Sequence, residues 1–371
     1  MRQQSSTAAA ATRRPSPRGG EQAQEGGQTG GPGRQAALER MEGLLLLPLL
    51  FLLLAVSSMA LNSNSNHLVV LSHGIMGSQK DLAYIAERLE SRGCLVLVSK
   101  ANAFVNSLRG IEHGAKCLVD EIDEKLSKSD RTIERISFVG NSLGGLYARM
   151  AVYLWSISSQ PATIKFWKFL SIASPMLGVS HHNYLNEEFG LPIPALLKMV
   201  VSRTMGQTGT ELFQLDDGQL LFKMATEEKF LAPLRQFTER RMLANLKNDF
   251  VVPLGTASLL DNDQVAKLRV VHSQESGIVA VIKSEQSEAA NQRQNDKTEL
   301  QQMRLSLDSL GWEKQIVHFP GVLPIAHNKI AALRKDPLWF FVNVMGTFQG
   351  EHVMDNACEW LTATPAPASP V

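Results

Sequence analysis

Ser142, a serine flanked by glycines, carries the strongest chemical pattern in this chain of 371 residues, GNSLG at residues 140–144. Residues 133–139 (IERISFV) have strand character and residues 143–154 have helical periodicity, so the serine falls between a strand and a helix. In that position a sharp, strained turn carries the serine hydroxyl above a sheet, where it can attack a carbonyl carbon. The pattern in this context predicts that Ser142 is a nucleophile, whereas the five residues alone would recur often by chance.

The neighbours of Ser142 fit the same chemistry. Gly140 and Gly144 are small, as such a turn requires, because it packs these two positions against neighbouring backbone. The N–H group of Leu143 lies at the start of the predicted helix, where the helix dipole favours negative charge. An attacking serine generates an oxyanion that needs preorganised donors. Leu143 is therefore predicted to supply one of them.

A second glycine-containing loop, SHGIMG at residues 72–77, follows the first predicted strand. Glycine lets backbone approach a substrate closely, and a loop after an early strand often supplies the second oxyanion donor. This predicts a motif glycine at Gly74 and a donor N–H at Ile75. An ordinary tight turn between a strand and a helix is the alternative interpretation.

A serine nucleophile needs a base, most often a histidine. In α/β enzymes with this turn the chain order is serine, acid, histidine. His327 in PIAHNKI fits, since it lies just beyond the last predicted strand, 314–319, and ahead of a helical run. His318 lies within that strand, where the pleat fixes its side chain. His327 is therefore the predicted base.

The base in turn needs an acid that holds its tautomer. Asp249 is the predicted acid, because it follows a strand that begins at Arg241, one strand–loop unit before the last. Asp261 and Asp263 lie on a nearby loop and are its rivals. A surface aspartate without a chemical role is the remaining interpretation.

Segments with strand and helix patterns alternate along residues 67–350, which predicts one domain with a mostly parallel, doubly wound α/β sheet and helices on both faces. The predicted strands are 67–72, 94–99, 133–139, 165–171, 241–246 and 314–319, and the predicted helices are 81–89, 112–126 and 143–154.

Two regions interrupt this alternation. Residues 181–231 are mainly helical in period, and the apolar stretch 189–201 (FGLPIPALLKMVV) fits either a cap over an active site or a core helix. Residues 275–305 contain a long polar stretch, which predicts an exposed insertion or a solvated helix.

Composition argues against several other kinds of chemistry. Hydrophobic residues make up 44%, charged residues 20%, and the net charge is +1, so nothing favours nucleic acid as a partner. Cys94, Cys117 and Cys358 are widely spaced and form no metal-binding pair. The His181–His182 pair lacks the acidic residues of a metal motif. No phosphate-binding loop or dinucleotide motif occurs in the sequence, so we expect neither a metal nor a nucleotide cofactor.

The terminal segments differ from the rest of the chain. Residues 1–42 and 361–371 are predicted to be disordered, because they have few of the apolar side chains that offset ordering entropy. Residues 43–61 form an uncharged apolar run, borderline in length for a membrane span. A secretory signal or a membrane anchor is favoured for this run. Four arginines and no acid in the first twenty residues leave a plastid or mitochondrial transit peptide open, and Met41 is an alternative start.

Six segments together resemble the serine esterase family of lipase-like α/β hydrolases. They are LVVLSHGIMGS, ISFVGNSLGGLYAR, SIASPMLGV, TGTELFQLDD, LKNDFVVP and PIAHNKI, in the family's order between residues 67 and 330. The resemblance implies an α/β-hydrolase fold and a triad of Ser142, Asp249 and His327. Asn141, where such enzymes often carry histidine, and Met176 depart from the family's pattern, which puts pocket specificity in question rather than the reaction.

The expected activity is hydrolysis of a carboxylic ester through an acyl-enzyme, without a cofactor, and the resemblance implies lipids or other acyl esters as substrates. The anchor interpretation adds contact with a membrane through residues 43–61. The same triad serves thioesterases, amidases and acyltransferases, so these activities stay open. A binding protein that keeps the fold without catalysis is the remaining alternative.

Overall fold

The computed structural model describes residues 66–364, except 183, 192, 273–274, 288–296, 322–324 and 335–349. A seven-stranded sheet lies at its centre. The strands are β1 (His67–Ser72), β2 (Leu95–Val98), β3 (Arg135–Asn141), β4 (Lys165–Ile172), β5 (Glu239–Asn245), β6 (Gly277–Lys283) and β7 (Glu313–His318). Their order is β2-β1-β3-β4-β5-β7-β6. Every neighbouring pair is parallel except β6 with β7.

Helices connect most of the strands. In chain order they are α1 (Ala83–Glu90), α2 (Ile111–Ser127), α3 (Leu143–Ser158), α4 (Tyr184–Phe189), α5 (Ala195–Thr204), α6 (Gly206–Leu212), α7 (Leu220–Thr226), α8 (Glu228–Arg235), α9 (Leu254–Ser258), α10 (Asn262–Val271), α11 (Glu299–Asp308), α12 (Ala326–Ile330) and α13 (Glu351–Thr362). Short 3₁₀ helices, Gln79–Leu82 and Phe104–Leu108, lie in the loops after β1 and β2.

The central strands are buried on both sides because helices cover both faces of the sheet. All six residues of β1 are buried, and alternate side chains of a strand point to opposite faces. Leu68 and Val70 belong to a core cluster with residues of α2 and α3. Val69 and Leu71 belong to a second cluster with residues of α1 and α13. The predicted mostly parallel, doubly wound α/β fold is confirmed.

The region predicted as a polar insertion, 275–305, contributes a strand to the sheet. β6 lies inside this region and pairs with β7 at the edge of the sheet. Its residues are half-buried or exposed, because an edge strand has a neighbour on one side only. The polar residues that follow β6 obscured it in the sequence, and α11 is the helix of the same region.

The folded part continues beyond residue 350, where the sequence analysis ended the domain. Helix α13 carries buried apolar residues at the three- and four-residue spacing of an amphipathic helix, among them Val353, Ala357 and Leu361. These residues pack into the cluster that contains α1. Leu361, the first residue of the predicted disordered tail, is therefore fully buried, and the helix ends at Thr362.

The helical middle region, 181–231, divides into two parts. Helices α6, α7 and α8 place Leu212, Leu221 and Phe230 in the main core cluster. Helix α5 instead leaves Leu196 68% and Val200 50% exposed. Helix α5 is therefore more exposed than α6, α7 and α8, and the cap remains a prediction.

Residues 1–42 and 43–61 lie outside the described part, so their predicted disorder and their predicted targeting or anchoring role remain predictions. The same applies to the tail from residue 365. Within the described residues, no helix has the length and apolar character needed to cross a bilayer.

Candidate active site

Ser142 occupies a strained turn between β3 and α3, with φ 54° and ψ −130°. A positive φ is uncommon outside glycine, and such a conformation costs about 1–3 kcal/mol. Hydrogen bonds hold the turn. The Ser142 N–H donates to the Ile172 carbonyl at 2.9 Å, and the Ser142 carbonyl accepts from the Gly145 N–H at 3.0 Å and from the Ser174 hydroxyl. The strand, the strained serine and the helix form the arrangement known as a nucleophile elbow.

Close backbone contacts explain the glycines of the turn. A Cβ atom at Gly140 would lie 2.3 Å from the Gly145 Cα. A Cβ atom at Gly144 would lie 2.1 Å from the Ser72 carbonyl oxygen, on the neighbouring strand β1. Neither position has room for a side chain, so the spacing of the motif follows from the packing of α3 against the sheet.

The loop after β1 reaches Ser142. Strands β1 and β3 are neighbours, with Ser72 opposite Gly140, so their loops leave the sheet side by side. A Cβ atom at Gly74 would lie 2.7 Å from the Ser142 Cβ and 3.1 Å from its Oγ. Ile75 lines the same cavity as Ser142 and Leu143. Both predicted oxyanion segments therefore border Ser142.

Ser107, to which the sequence analysis gave no role, holds that loop in place. Its hydroxyl accepts a hydrogen bond from the Met76 N–H at 2.9 Å. Its carbonyl accepts from the Tyr147 hydroxyl of α3 at 2.8 Å and from the Thr208 hydroxyl of α6 at 2.7 Å. Ser107 is fully buried. No local motif marks it, because its partners are distant along the chain.

Asp249 and His327 form a buried pair, with 3.0 Å between Asp249 Oδ2 and His327 Nδ1. Asp249 follows β5 and His327 follows β7, which are neighbouring parallel strands. A bridge between Asp249 and Ile325 and a hydrogen bond from the Ala326 N–H to the Asn248 carbonyl, at 3.1 Å, join the two loops. His327 is 8% exposed and Asp249 is 3% exposed.

Three further donors satisfy the Asp249 carboxylate. Asn245 Nδ2 donates to Oδ2 at 2.7 Å. The N–H groups of Val251 and Val252 donate to Oδ1 at 3.0 Å and 2.7 Å. Because a buried charge is costly unless it is hydrogen-bonded, these donors explain how the carboxylate is held in place beside His327. Asn245 was not predicted from the sequence.

The rival residues have other partners. Asp261 caps the N-terminus of α10, accepting from the Gln264 N–H at 2.9 Å. Asp263 is exposed in the first turn of that helix. His318 Nδ1 lies 2.6 Å from the Glu275 carbonyl oxygen. Asp261 and His318 are thus engaged by other groups, and Asp249 and His327 remain the predicted partners of Ser142.

His182, of the histidine pair 181–182, belongs to a structural network. His182 Nδ1 lies 3.0 Å from Glu187 Oε1, and the other oxygen of Glu187 lies 3.4 Å from Arg269. The Gly255 N–H also donates to Glu187, at 3.1 Å. This network ties α4 to α9 and α10. Within the described residues, no group of three or more His, Cys, Asp or Glu side chains could hold a metal ion.

Two cavities meet at Ser142. The first, of about 360 Å³, is apolar apart from the serine and a tyrosine, and the helices α4 to α6 contribute Tyr184, Leu197 and Leu212 to its wall. The second, of about 290 Å³, contains His327 and several other polar side chains. Phe250 lines both cavities. Ser142 therefore lies between an apolar cavity and a cavity whose wall mixes polar with apolar side chains.

Two yeast proteins are similar to this chain. It is 33% identical over 211 residues to "Putative lipase ROG1" of Saccharomyces cerevisiae, an alignment that covers 52% of this chain and 28% of that protein. It is 30% identical over 214 residues to "Putative lipase YDL109C" of the same organism, covering 53% and 31%. The chain thus spans less than a third of the length of these relatives.

Solved structures of two esterases are similar to the chain at low sequence identity. Carboxyl esterase 2 from Tuber melanosporum is 12% identical, with a TM-score of 0.45, and the match covers 81% of this chain and 77% of that one. A fungal esterase from Rhizomucor miehei is 13% identical, with a TM-score of 0.38, covering 80% and 74%.

The sequence profile of one family, described as "Putative serine esterase (DUF676)", matches residues 62–260. This range is more than half of the chain. It contains Ser142 and Asp249, whereas His327 lies beyond it. The chain therefore belongs to the Putative serine esterase family, and its fold is that of an α/β hydrolase.

Proposed function

We propose that this protein hydrolyses carboxylic esters, with Ser142 as nucleophile, His327 as base and Asp249 as the acid that orients the base. One observation carries the proposal. The hydrogen-bonded Asp249–His327 pair and the strained Ser142 lie in separate segments at the carboxyl ends of parallel strands. Ser142 and His327 line the same cavity. Membership of the serine esterase family supports the same reaction.

The proposed reaction follows the serine–histidine–aspartate template. His327 takes the hydroxyl proton as Ser142 Oγ bonds to the ester carbonyl carbon. The tetrahedral intermediate then collapses, the bond from carbon to the alcohol oxygen breaks, and His327 returns the proton to the leaving alcohol. Water, deprotonated by His327, attacks the acyl-enzyme. The carboxylic acid leaves and Ser142 regains its proton, so no cofactor is required.

The backbone N–H groups of Leu143 and Ile75 are proposed to bind the oxyanion. Leu143 is the first residue of α3, where the helix dipole favours negative charge. Ile75 follows Gly74, whose backbone lies against the Ser142 side chain. Preorganised donors of this kind contribute about 3–4 kcal/mol each to the stabilisation of the transition state.

The apolar cavity supports an acyl chain as the group that reaches Ser142. Its volume of about 360 Å³ lies at the lower end of the range of ~300–1,000 Å³ for small-molecule sites, so we propose that it takes a single chain. Several side chains at and beside its mouth are also exposed, among them Leu197 (45%), Phe250 (61%) and Val251 (44%). An exposed apolar rim suits a lipid-type substrate.

Helices α4 and α5 are proposed to act as a cap over this cavity. Leu197 and Val201 of α5 line it, while Leu196 and Val200 on the same helix face outwards. A cap in this position would exclude water from the acyl chain, while the proposed catalytic residues stay on the segments that follow the strands of the sheet.

Hydrolysis of matched substrates tests the proposal. The full-length protein and the Ser142→Ala variant are assayed on an ester, a thioester and an amide of the same fatty acid, in water and with added alcohol. We expect ester hydrolysis by the wild type and a loss of at least 10³-fold in the variant. A preference for the thioester or the amide, or capture of the acyl group by alcohol, would replace esterase with one of those activities.

A further inference from the structure

Arg149 is a buried charge for which the proposed reaction has no use. It lies on α3, seven residues after Ser142, and is only 2% exposed. Its guanidinium donates to the Met176 carbonyl at 3.0 Å and to the Met224 carbonyl at 2.9 Å. Within the described residues, its Nε has no hydrogen-bond partner. Burial lowers the pKa of the guanidinium to about 9, so Arg149 still carries its charge at neutral pH.

This charge makes Arg149 a costly choice for the interior. An apolar side chain of similar size is often at least as stable in such a place, because no charge has to leave water. An apolar side chain cannot, however, join two backbone carbonyls from different parts of the chain. Met176 belongs to the segment after β4, and Met224 lies in the last turn of α7, where helix carbonyls favour a positive charge.

The segment after β4 supports the turn that carries Ser142. Its Ser174 hydroxyl donates to the Ser142 carbonyl, and a Cβ atom at Gly145 would collide with that hydroxyl. Gly145 and Arg149 are four residues apart, so they lie on the same face of α3. This face therefore contacts the segment twice, through Gly145 at Ser174 and through Arg149 at Met176.

The same segment begins with a strained residue. Ala173, directly before Ser174, has a φ of 42°, which is unfavourable for a residue other than glycine. Strained residues persist only where the surrounding structure fixes them. The Ser174 hydroxyl joins the strained backbone at Ala173 to the strained backbone at Ser142. Arg149 fixes the segment two residues further along the chain, so the strain at both positions depends on how firmly this segment is held.

We propose that Arg149 is a positioning residue for Ser142, an inference that rests on the proposed function. By binding the Met176 carbonyl, Arg149 keeps Ser174 against the strained turn. The turn then holds the Ser142 hydroxyl where His327 can take its proton. Because Arg149 acts through the turn and not on the substrate, its loss should slow the attack of Ser142 and leave substrate binding nearly unchanged.

Arg240 offers a matched control, because it is another buried arginine that binds backbone carbonyls. It is 7% exposed, and its guanidinium donates to the carbonyls of Leu234, Phe237 and Gly311, among others. Arg240 is the second residue of β5. It therefore lies near the amino end of a parallel strand, whereas Ser142 follows the carboxyl end of β3. A methionine at either position removes a buried charge and leaves carbonyls without their donor.

The rate of labelling by a fluorophosphonate is measured on the full-length protein, with kcat and KM on an ester, at a temperature where every variant is folded. In Arg149→Met, kcat and the labelling rate should fall roughly ten- to a hundredfold, since misplacement by about 1 Å can cost 10²-fold. KM should change less than about threefold. Arg149→Lys keeps a charge and N–H donors, so it should recover part of the loss. Arg240→Met should stay within about twofold of wild type.

A double variant tests the route through Ser174. If Arg149 acts through this hydroxyl, Arg149→Met/Ser174→Ala should label no more slowly than the slower single variant, whereas independent effects would multiply. Equal losses in Arg149→Met and Arg240→Met, or losses that multiply in the double variant, would overturn the inference. If Arg149→Met does not fold, Arg149→Lys replaces it in the same comparison.

The labelling of wild type separates this inference from the proposed function. Wild type and Arg149 variants that label equally fast would refute the positioning role alone. A folded wild type that does not label would refute the proposed function, and the positioning role with it.

Discussion

At the scale of single residues, the site combines one strained serine with one fully hydrogen-bonded carboxylate. Ser142 adopts a costly φ of 54° that the hydrogen bonds of its turn hold in place. Asp249 is buried, and its two carboxylate oxygens form hydrogen bonds with four groups. These are the side chains of His327 and Asn245 and the backbone N–H groups of Val251 and Val252. The serine is thus oriented by backbone geometry and the histidine by a fixed acid.

Replacement of the acid tests its proposed role. Asp249→Asn keeps the size of the side chain but allows the wrong tautomer of His327, so kcat should fall about 10³- to 10⁴-fold. Asp261→Asn is the matched control, since Asn also caps helices well and Asp261 caps α10. Its kcat should stay within twofold of wild type. Steady-state kinetics decide, and equal losses in the two variants would remove Asp249 from the triad.

The contact of Gly144 with β1 leads to a prediction about stability. In Gly144→Ala the added methyl would meet the Ser72 carbonyl oxygen at 2.1 Å. Overpacking of this kind costs typically about 1–3 kcal/mol, and occasionally more, so the Tm should fall by several degrees. Gly218→Ala is the control, because the nearest described atom to a Cβ there is 3.6 Å away. Calorimetry that finds the same Tm for both variants would contradict the packing described for the turn.

Residues that belong to a local pattern could be predicted from the sequence, and residues that act across the fold could not. Ser142 was predictable because glycines, strand and helix adjoin it in the sequence. Ser107 is as closely tied to the site, but its partners Met76, Tyr147 and Thr208 lie 31 or more residues away along the chain. Asn245 is only four residues from Asp249, but no recognised motif marks the pair. A serine in a loop and an asparagine at a strand end have too many ordinary uses to indicate such roles.

At the scale of elements, the region around α4 and α5 differs from the rest of the molecule. It is tied to the core by the Glu187 network, which reaches the Gly255 N–H and Arg269. Helix α5 nevertheless leaves Leu196, Leu197 and Val200 between 45% and 68% exposed. A region that is anchored to the core through α4 and is apolar on the outer side of α5 suits contact with an apolar substrate.

A substitution on α5 tests the proposed acyl cavity. Leu197→Trp should obstruct it, so that long chains lose more than short ones. If the tryptophan excludes about two methylene groups of the acyl chain from the cavity, the loss is ~0.8 kcal/mol for each group. The ratio of kcat/KM for decanoate esters to that for acetate esters should then fall roughly tenfold. Val270→Trp on α10 is the control, because Val270 is 79% exposed and lines neither cavity. An unchanged ratio in Leu197→Trp would place the acyl chain elsewhere.

The elements that were predictable are those whose own residues make the pattern. β1 consists of six buried residues, and its predicted ends, residues 67 and 72, are those of the structure. β6 is half-exposed, lies at the edge of the sheet and precedes a polar stretch. α13 has an amphipathic pattern, but its place in the fold depends on α1, about 270 residues earlier. A short stretch of sequence does not show which distant strand or helix it will pack against.

At the scale of the whole molecule, the proposed functional segments all lie at the carboxyl ends of the parallel strands. The segments that follow β1, β3, β5 and β7 supply Gly74, Ser142, Asp249 and His327, the last of them from the first turn of α12. Binding at the carboxyl ends of the strands is the general rule for open α/β sheets. The stability of this sheet is thus a condition for the assembly of the site.

A buried histidine makes that stability sensitive to acid. Burial, with the positive charges of Arg135 and Lys168 as smaller causes, lowers the pKa of His67 on β1 to about 3. In the unfolded chain this pKa is about 6.5. The unfolded state therefore binds a proton first as the pH falls below 6.5, and stability is lost progressively from there down to about pH 3.

Unfolding in urea at two pH values checks this contribution. Between pH 7 and pH 5 the wild type should lose about 2 kcal/mol more stability than His67→Gln, which has no proton to bind. Gln keeps a polar group for the Ser137 hydroxyl, which lies 2.8 Å from His67 Nε2. Equal losses in the two proteins would show that His67 does not contribute to the acid sensitivity.

The most direct test of the central claim is covalent labelling of the full-length protein by a fluorophosphonate, which reacts with serines activated by a base. Wild type, Ser142→Ala and His327→Ala are compared, with His318→Ala as the matched histidine control. We expect labelling of wild type and His318→Ala, none of Ser142→Ala, and a loss of at least 10³-fold in rate for His327→Ala. Undiminished labelling of Ser142→Ala or of His327→Ala, or a folded wild type that does not react, would contradict the proposed triad.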